Sequence, residues 1–491
     1  MEKNKLSSFI QAAVVALVVL LGFQFFMHPK KPETNAKAVE KKQVVKVIDI
    51  PSVKRTGEIV KVETPLYTAS ISTINGRLTK LYVKKYKAQL VSPLSEKLGI
   101  YPLTTISDNS AINKELSNIQ LTPNKREVKV TNSPVKLILT GTLKDGETFK
   151  KILTFHPNTY KIDVKTQLNG KPLITIVGPD IKVNEAHTSR MGHIGPVLET
   201  SNGKVIRLTP KEIKEAINYN HVLWAGEEDK YFLMALKGKG FPVTIENLNG
   251  HTLVKGFIGN FTFYGGPKEL EQLEKLGMDK AIDFGIFGFL AKPLLKFFLF
   301  LHQYIHNWGL VIIILTLIIK IILHPLTHKG FESMKKMQEL APKLEELKER
   351  YKNDPQKLNE EMMKLYKEAG VNPMGGCLPM LLQIPIFFAL YEIFLNAVEL
   401  KGASFLWVPD LSMPDPTYIM PVLMGASMIL QQKLTPTTNP QQQKIFYIMA
   451  VVFTFMFAKF PAGLVLYWLT NNLITAVQNL IIHEVIKRKN A

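Results

Sequence analysis

The chain carries a single cysteine, Cys377, in 491 residues. One cysteine excludes an internal disulfide and a CxxC metal site. No cysteine stands beside the N-terminal apolar run, which argues against a lipid-anchored lipoprotein. GxxxxGK[ST] is absent, so there is no P-loop for a nucleotide. His156, His187, His193, His221 and His251 are scattered without metal-ligand spacing and read as solvated or structural residues. No catalytic set, metal or cofactor is expected. The net charge is +20, yet no RNA- or DNA-binding motif accompanies it and the lysines are dispersed. Direct DNA binding is therefore not expected. A bias toward cytoplasmic loops and anionic lipid headgroups is the simpler account.

Long apolar runs are also missing from the polar middle of the chain; they lie at its two ends. The first covers residues 9–27, roughly 28 Å of helix at 1.5 Å per residue. It ends Gln24-Phe25-Phe26-Met27-His28-Pro29, without the small-residue site of a cleaved signal peptide, so an uncleaved anchor over 1–28 is the preferred reading. Five further spans follow at 308–326, 378–397, 418–431, 445–460 and 464–482. The segment 328–372 holds about ten Lys and Arg, Lys433 and Lys444 flank the next loop on that side, and Lys487, Arg488 and Lys489 form a basic tail over 487–491. The opposite side has little beyond Lys401 and Lys459, so the lysine-rich side is cytoplasmic. Counting back puts residues 28–306 outside and both termini inside. The flanks of the first run oppose this, because Lys3 and Lys5 are outnumbered by Lys30, Lys31, Lys37, Lys41 and Lys42. Long domains cross largely regardless of charge, so the five-span count decides.

Residues 29–60 are rich in Lys, Pro and Val without a sustained period and read as a linker. Over 61–278 the pattern becomes two-fold. Tyr160, Ile162, Val164, Thr166 and Leu168 alternate with Lys161, Asp163, Lys165 and Gln167, one face on a core and one in solvent. Asp145-Gly146, Asn169-Gly170 and Asn249-Gly250 offer the positive-φ turns of tight hairpins. An antiparallel β-sandwich is expected. Residues 279–306 are apolar but broken by Lys292, Pro293, Lys296, His302 and Gln303, the mix of a helix lying in the outer interface; a seventh span is the alternative.

After His324-Pro325-Leu326 the chain turns helical and charged. Met334, Met337, Leu340, Leu344, Leu347 and Tyr351 form one apolar stripe. Asn353-Asp354-Pro355 breaks it, and a second helix carries Leu358, Met362 and Leu365. Glu346 and Arg350, and Glu360 and Lys364, have i,i+4 spacing. An αα-hairpin over 328–372 follows. Its stripes either cover each other, the reading favoured by the residues alone, or serve a docking arm whose flexible Met334, Met337, Met362 and Met363 suit adaptable contacts.

Lys320 stands inside the apolar run 308–323, where a cation costs a few kcal/mol or more unless it meets water, a partner or the interface. Counted along the helices it lies about 9 Å from the cytoplasmic end. Gln383 and Gln478 fall near that depth, with Thr475, Asn472 and Asn471 rising toward the midplane and Thr316 one turn above Lys320. No acid shares the level; Glu392 lies about 14 Å higher. Lys320 could instead snorkel to the inner headgroups, and the amides could bond neighbouring helices. One cation, several uncharged polar groups and no carboxylate favour a cationic groove open to the cytoplasm, suited to an acidic polypeptide segment.

The stretches Asn307-Trp308-Gly309, His324-Pro325-Leu326, Asn372-Pro373-Met374-Gly375-Gly376-Cys377-Leu378-Pro379, Gln383-Ile384-Pro385-Ile386-Phe387, Asp410-Leu411-Ser412 with Asp415-Pro416, and Pro461 through Trp468 closely resemble the YidC family of membrane protein insertases in its Gram-negative, six-span form. Tyr231-Phe232 and Tyr264-Gly265-Gly266-Pro267-Lys268 extend a weaker match outside. The resemblance implies an inner-membrane insertase and chaperone: six transmembrane helices, a periplasmic β-supersandwich over 61–278, a five-helix core over 307–486 and a cytoplasmic helical hairpin. It implies a groove basic residue, usually arginine, at the place of Lys320, and a substrate slide of Thr316, Phe387, Met424, Tyr467 and Trp468, the last replacing a common tyrosine. Implied partners are nascent membrane proteins, the lipid bilayer, the Sec translocon and the ribosome, with the chain acting as a monomer and not as an enzyme. A secondary transporter of an anionic solute with Lys320 as its binding charge is the alternative, but no internal repeat supports it. An anchored external carbohydrate-binding protein leaves five spans without a purpose.

Overall fold

A computed structural model of the chain describes residues 50–53, 57–182, 192–370, 378–435 and 440–490. The anchor expected over 1–28, most of the linker, His187 and the 372–377 motif lie outside the described residues, as do the side chains of Lys444, Lys487 and Lys489. The chain divides into two compact units, one within 29–283 and one within 284–491.

The first unit is β-rich. One sheet orders its strands Ala88–Gln89, Leu78–Val83, Tyr67–Ser72, Ile59–Glu63 and Glu127–Lys129. A larger sheet runs Val205–Arg207, Gly195–Thr200, Ile217–Glu228, Phe232–Leu248, Asn260–Pro267, Lys161–Gln167, Thr148–Phe155, Val135–Thr142 and Thr122–Pro123. Ile174–Pro179 pairs with His251–Gly256 and Thr105–Ile106 beside that path. The alternation read over 160–168 is observed: Tyr160, Ile162, Val164, Thr166 and Leu168 are buried and the residues between them are not.

The turns divide. Asn249 and Gly250 have φ of 55° and 89° and join strands paired from Leu248 to His251, the two-residue hairpin that positive φ at both positions permits. Asn169 and Gly170 also have positive φ, but they do not make a hairpin. Lys161–Gln167 pairs with Thr148–Phe155 and Asn260–Pro267, whereas the strand after the turn pairs with His251–Gly256. Long-range pairing overrides the local turn signal there.

This unit buries several charges. Glu228, fully enclosed, meets Arg207 at 2.8 Å and Lys268 at 3.2 Å. Burial pushes its carboxyl up, but the two cations outweigh burial and hold it below the usual range. Lys151 has no carboxylate beside it among the described residues. It lies on the apolar face between Phe149 and Leu153, and its Nζ donates to the carbonyls of Asn75 at 2.9 Å and Leu103 at 2.5 Å. Burial pulls its pKa down to about 7.

The second unit is helical. Its described helices are α1 (Gly288–Ile305), α2 (Trp308–Glu339), α3 (Ala341–Arg350), α4 (Pro355–Glu368), α5 (Leu378–Asn396), α6 (Ile419–Lys433), α7 (Pro440–Phe457) and α8 (Ala462–Asn490). Among the described residues α2 alone is long and apolar enough to cross a membrane by length and composition. It does not stop at Pro325 but runs 32 residues, about 48 Å. The proline lacks one backbone donor, yet the helix continues, with Thr327 Oγ1 donating to the Leu323 carbonyl at 3.1 Å. The first arm of the hairpin is thus the end of α2 together with α3. Asn307 caps α2 by accepting from Leu310 N at 3.0 Å, and Asp354 caps α4 by accepting from Lys357 N at 3.1 Å, with Pro355 at the first helical position where its missing N–H costs nothing. Along the hairpin Lys364 pairs with Glu361 at 2.8 Å and not with Glu360. Leu344 is buried, whereas Met363 is exposed and Met334, Met337 and Met362 are half-buried.

Contacts tie α8 to α2, α5 and α6, and α1 to α2 and α5. The outward faces are apolar: Ile321 and Ile322 on α2, Val422 on α6, Val451 and Phe455 on α7, and Val477 and Ile481 on α8 are all exposed. Such a surface is unsuited to water and suited to lipid.

Candidate functional site

Lys320 stands twelve residues into α2 and Thr475 thirteen into α8, about 18 and 20 Å along parallel chain directions at 1.5 Å per residue. The two helices meet in parallel register, Lys320 against Thr475 and, one turn on, His324 against Gln478. Its Nζ donates to Thr475 Oγ1 at 2.9 Å, and Thr475 Oγ1 donates to the Asn471 carbonyl at 2.7 Å. Lys320 itself is only 7% exposed. Among the described residues Thr475 is the sole hydrogen-bond partner of Nζ, and no carboxylate pairs with it. An ammonium carries three donors. Two of them are left for water or a ligand, and the cost of stranding them in a dry, apolar site is high.

The side-chain oxygens of Asn471 and Gln478 are buried and unmatched by any protein donor. Gln478 Nε2 lies 3.4 Å from His324 Nδ1, which brings the start of the His324-Pro325-Leu326 stretch to α8. Thr316 is buried one turn above Lys320, its hydroxyl bonded back to Ile312 O at 2.7 Å.

Two groove candidates point elsewhere. Gln383 Nε2 donates to Tyr467 Oη at 2.8 Å, linking α5 to α8. Asn472, 3% exposed, donates to Ser427 Oγ on α6 at 3.0 Å, and Asn479 Nδ2 donates to Thr435 Oγ1 at 3.1 Å. Asn471 and Asn472 are adjacent, so about 100° of helical rotation sends them to different neighbours. Ser427, Thr435 and Asn479 were absent from the residues singled out by sequence, because nothing in their own spacing marks which helix faces them.

Of the slide candidates, Thr316, Met424 and Tyr467 are buried, and Phe387 and Trp468 are half-buried. Phe387 meets Trp468 edge-on with centroids 4.7 Å apart; Phe457 lies 5.1 Å from Trp468, and Phe394 lies 6.0 Å from Tyr467. Phe387 with Trp468 and Phe394 with Tyr467 are thus two aromatic contacts between α5 and α8, in addition to the Gln383 bond.

Comparison with known proteins follows this architecture. The family described as "60Kd inner membrane protein" matches residues 300–489, and the "YidC periplasmic domain" matches residues 59–297. A protein of Aquifex aeolicus named "Membrane protein insertase YidC" is 37% identical, over 95% of this chain and 92% of its own length. One of the same name from Geobacter metallireducens is 35% identical over 100% of both chains. A solved structure described as an active YidC insertase with the first transmembrane domain resolved is 23% identical, covers 94% of this chain and 98% of its own, and superposes with a TM-score of 0.40.

Proposed function

Because this chain belongs to the YidC family of membrane protein insertases, with the inner-membrane core and the periplasmic domain that define it, we propose that its helical unit inserts polypeptides through a polar groove built around Lys320. The observation that carries this is the enclosed ammonium with one neutral partner, Thr475, and two donors left over. A simple anchor has no use for such a group. A groove that admits water and an acidic segment does.

In this reading six transmembrane helices cross the bilayer: the 1–28 segment, α2, and α5 to α8. The 29–283 unit is periplasmic, both termini are cytoplasmic, and the α2–α4 hairpin lies in the cytoplasm. The polar outer segment of a nascent substrate enters from the cytoplasm and is held near Lys320, Thr475, Asn471 and Gln478. Its apolar helix leaves along Phe387, Tyr467 and Trp468 into lipid. Transfer of that helix at about 25 cal/mol per Å² of apolar surface supplies the driving force, so no nucleotide is required. Lysine in place of the family's usual arginine keeps the charge but gives up the planar two-pronged donor, so it acts here as a point charge. Met334, Met337, Met362 and Met363 supply adaptable contacts on the hairpin, the basic tail supports ribosome contact, and the Sec translocon is a further partner. The chain acts as a monomeric insertase and chaperone, not as an enzyme.

The test is reconstitution of the full chain in liposomes with a one- or two-span substrate. Insertion without nucleotide and without solute flux supports the proposal. Saturable uptake of an anionic solute with no insertion overturns it.

A further inference from the structure

The segment joining α5 to α6 turns apolar side chains outward on a rigid base. Phe405 and Val408 close a two-residue turn, each backbone N–H donating to the other's carbonyl at 2.9 Å. Both side chains are buried, and the Phe405 ring packs on Gly309 at the start of α2 so closely that no Cβ would fit. Leu406 and Trp407 are left at the tip. Leu406 has φ of 52°, a left-handed backbone that a branched residue rarely adopts, and it is 72% exposed.

Asp415 fixes this tip to α6. Its carboxylate, 1% exposed, accepts from Trp407 Nε1 at 3.3 Å, Met420 N at 2.8 Å, Thr417 N at 3.0 Å and Thr417 Oγ1 at 2.8 Å. Tyr418, directly before α6, is a second left-handed residue, with φ of 58° and 58% exposure. Leu406 and Tyr418 are thus exposed on left-handed backbone, and Trp407 between them is tied by its N–H to Asp415.

We infer that this tip, Leu406 and Trp407 with Tyr418, inserts into the headgroup and upper acyl region of the bilayer and anchors the α5–α6 connection there. Ile419, Val422 and Leu423 of α6, which follow Tyr418 in the chain, and Leu310 of α2, which follows the Gly309 that the Phe405 ring covers, are exposed as well and face lipid if these helices span. Trp and Tyr have an apolar body and a polar edge, the pairing favoured at membrane interfaces. The Trp407 N–H is already bonded to Asp415, so the ring enters without an unmet donor. The tip, Phe405 to Pro409, carries no charge; Lys401 and Asp410 stand at its flanks. The inference rests on reading α2 and α5–α8 as spans.

The test uses the full chain in phospholipid vesicles, with Cys377→Ser and a nitroxide placed at Leu406→Cys. Val451→Cys on α7 is the acyl-chain reference, and Asp145→Cys, in an exposed turn of the β-rich unit, is the aqueous reference. Collision with oxygen and with a water-soluble nickel chelate is compared. Several-fold oxygen preference at 406 relative to 145 is expected. Nickel accessibility at 406 equal to that at 145, with 451 still in lipid, overturns the inference and leaves the spans intact. Nickel access at 451 overturns the spanning reading itself. Protection of 406 from both reagents, with dipolar broadening on full labelling, assigns the tip to a second copy of the chain and overturns the lipid anchor.

Discussion

Lys320 Nζ and Thr475 Oγ1 meet at 2.9 Å across two helices that run in the same direction, at nearly equal distance from their starts. The cation is directed into the helical unit. The ammonium is enclosed, 7% exposed, and bonded to a neighbouring helix. Because the partner is an uncharged hydroxyl that already donates to Asn471 O, the charge is held in place without being neutralised.

That arrangement predicts how substitutions rank. Lys320→Ala should lower insertion of substrates with acidic outer segments by about tenfold or more, equivalent to about 1.4 kcal/mol of lost attraction. Lys320→Arg should retain activity. Thr475→Val should fall between them and Thr475→Ser should recover. The readout is protease protection of a reconstituted substrate, and equal activity of the three forms at position 320 would contradict the account.

The bond from Gln383 to Tyr467 should be a stability element between α5 and α8. Tyr467→Phe leaves the amide without its partner and should cost about 1 kcal/mol, as should Gln383→Leu. The double variant should cost less than the sum of the two. A double-mutant cycle on thermal unfolding in detergent measures the coupling, and strict additivity would remove the bond from the account.

Lys151 predicts a pH dependence in the β-rich unit. Its folded pKa of about 7 lies below its ordinary 10.5, so the native state binds fewer protons than the unfolded state between those values. Stability contributed by this site therefore rises as pH climbs from about 7 toward 10, and the penalty for burying the charge is fully present below 7. Lys151→Met removes the titration. The stability difference between the native chain and this variant should shift in favour of the native chain over that range, by up to a few kcal/mol. Urea unfolding at pH 7 and pH 9.5, followed by proteolytic susceptibility of the full chain, checks it; a constant difference would contradict it.

Much of this was legible in the residues, for physical reasons that differ by position. The alternation over 160–168 reports one buried face, and a strand has only two faces to choose from. Asn249-Gly250 reports a hairpin because both positions need positive φ and the flanking residues pair at once. Asn169-Gly170 sends the same local signal, but the strand that follows finds its partner some eighty positions away, and local sequence does not encode that choice. Lys320 was legible because a lone cation in an apolar run is costly. The destinations of Gln383, Asn472 and Gln478 were not, because depth along a helix is a count of residues whereas direction depends on which helix packs on which side. Nor did the residues show that the span over 308–326 and the first hairpin arm from 328 are one helix; α2 carries both through Pro325.

The most direct test of the central claim is sided labelling beside the ammonium. The full chain with Cys377→Ser and Thr475→Cys is exposed to a membrane-impermeant thiol reagent in inverted and in right-side-out vesicles. Reaction is expected in inverted vesicles alone, from a water-filled pocket open to the cytoplasm and closed on the other side. No reaction in either orientation, or equal reaction in both, would contradict it.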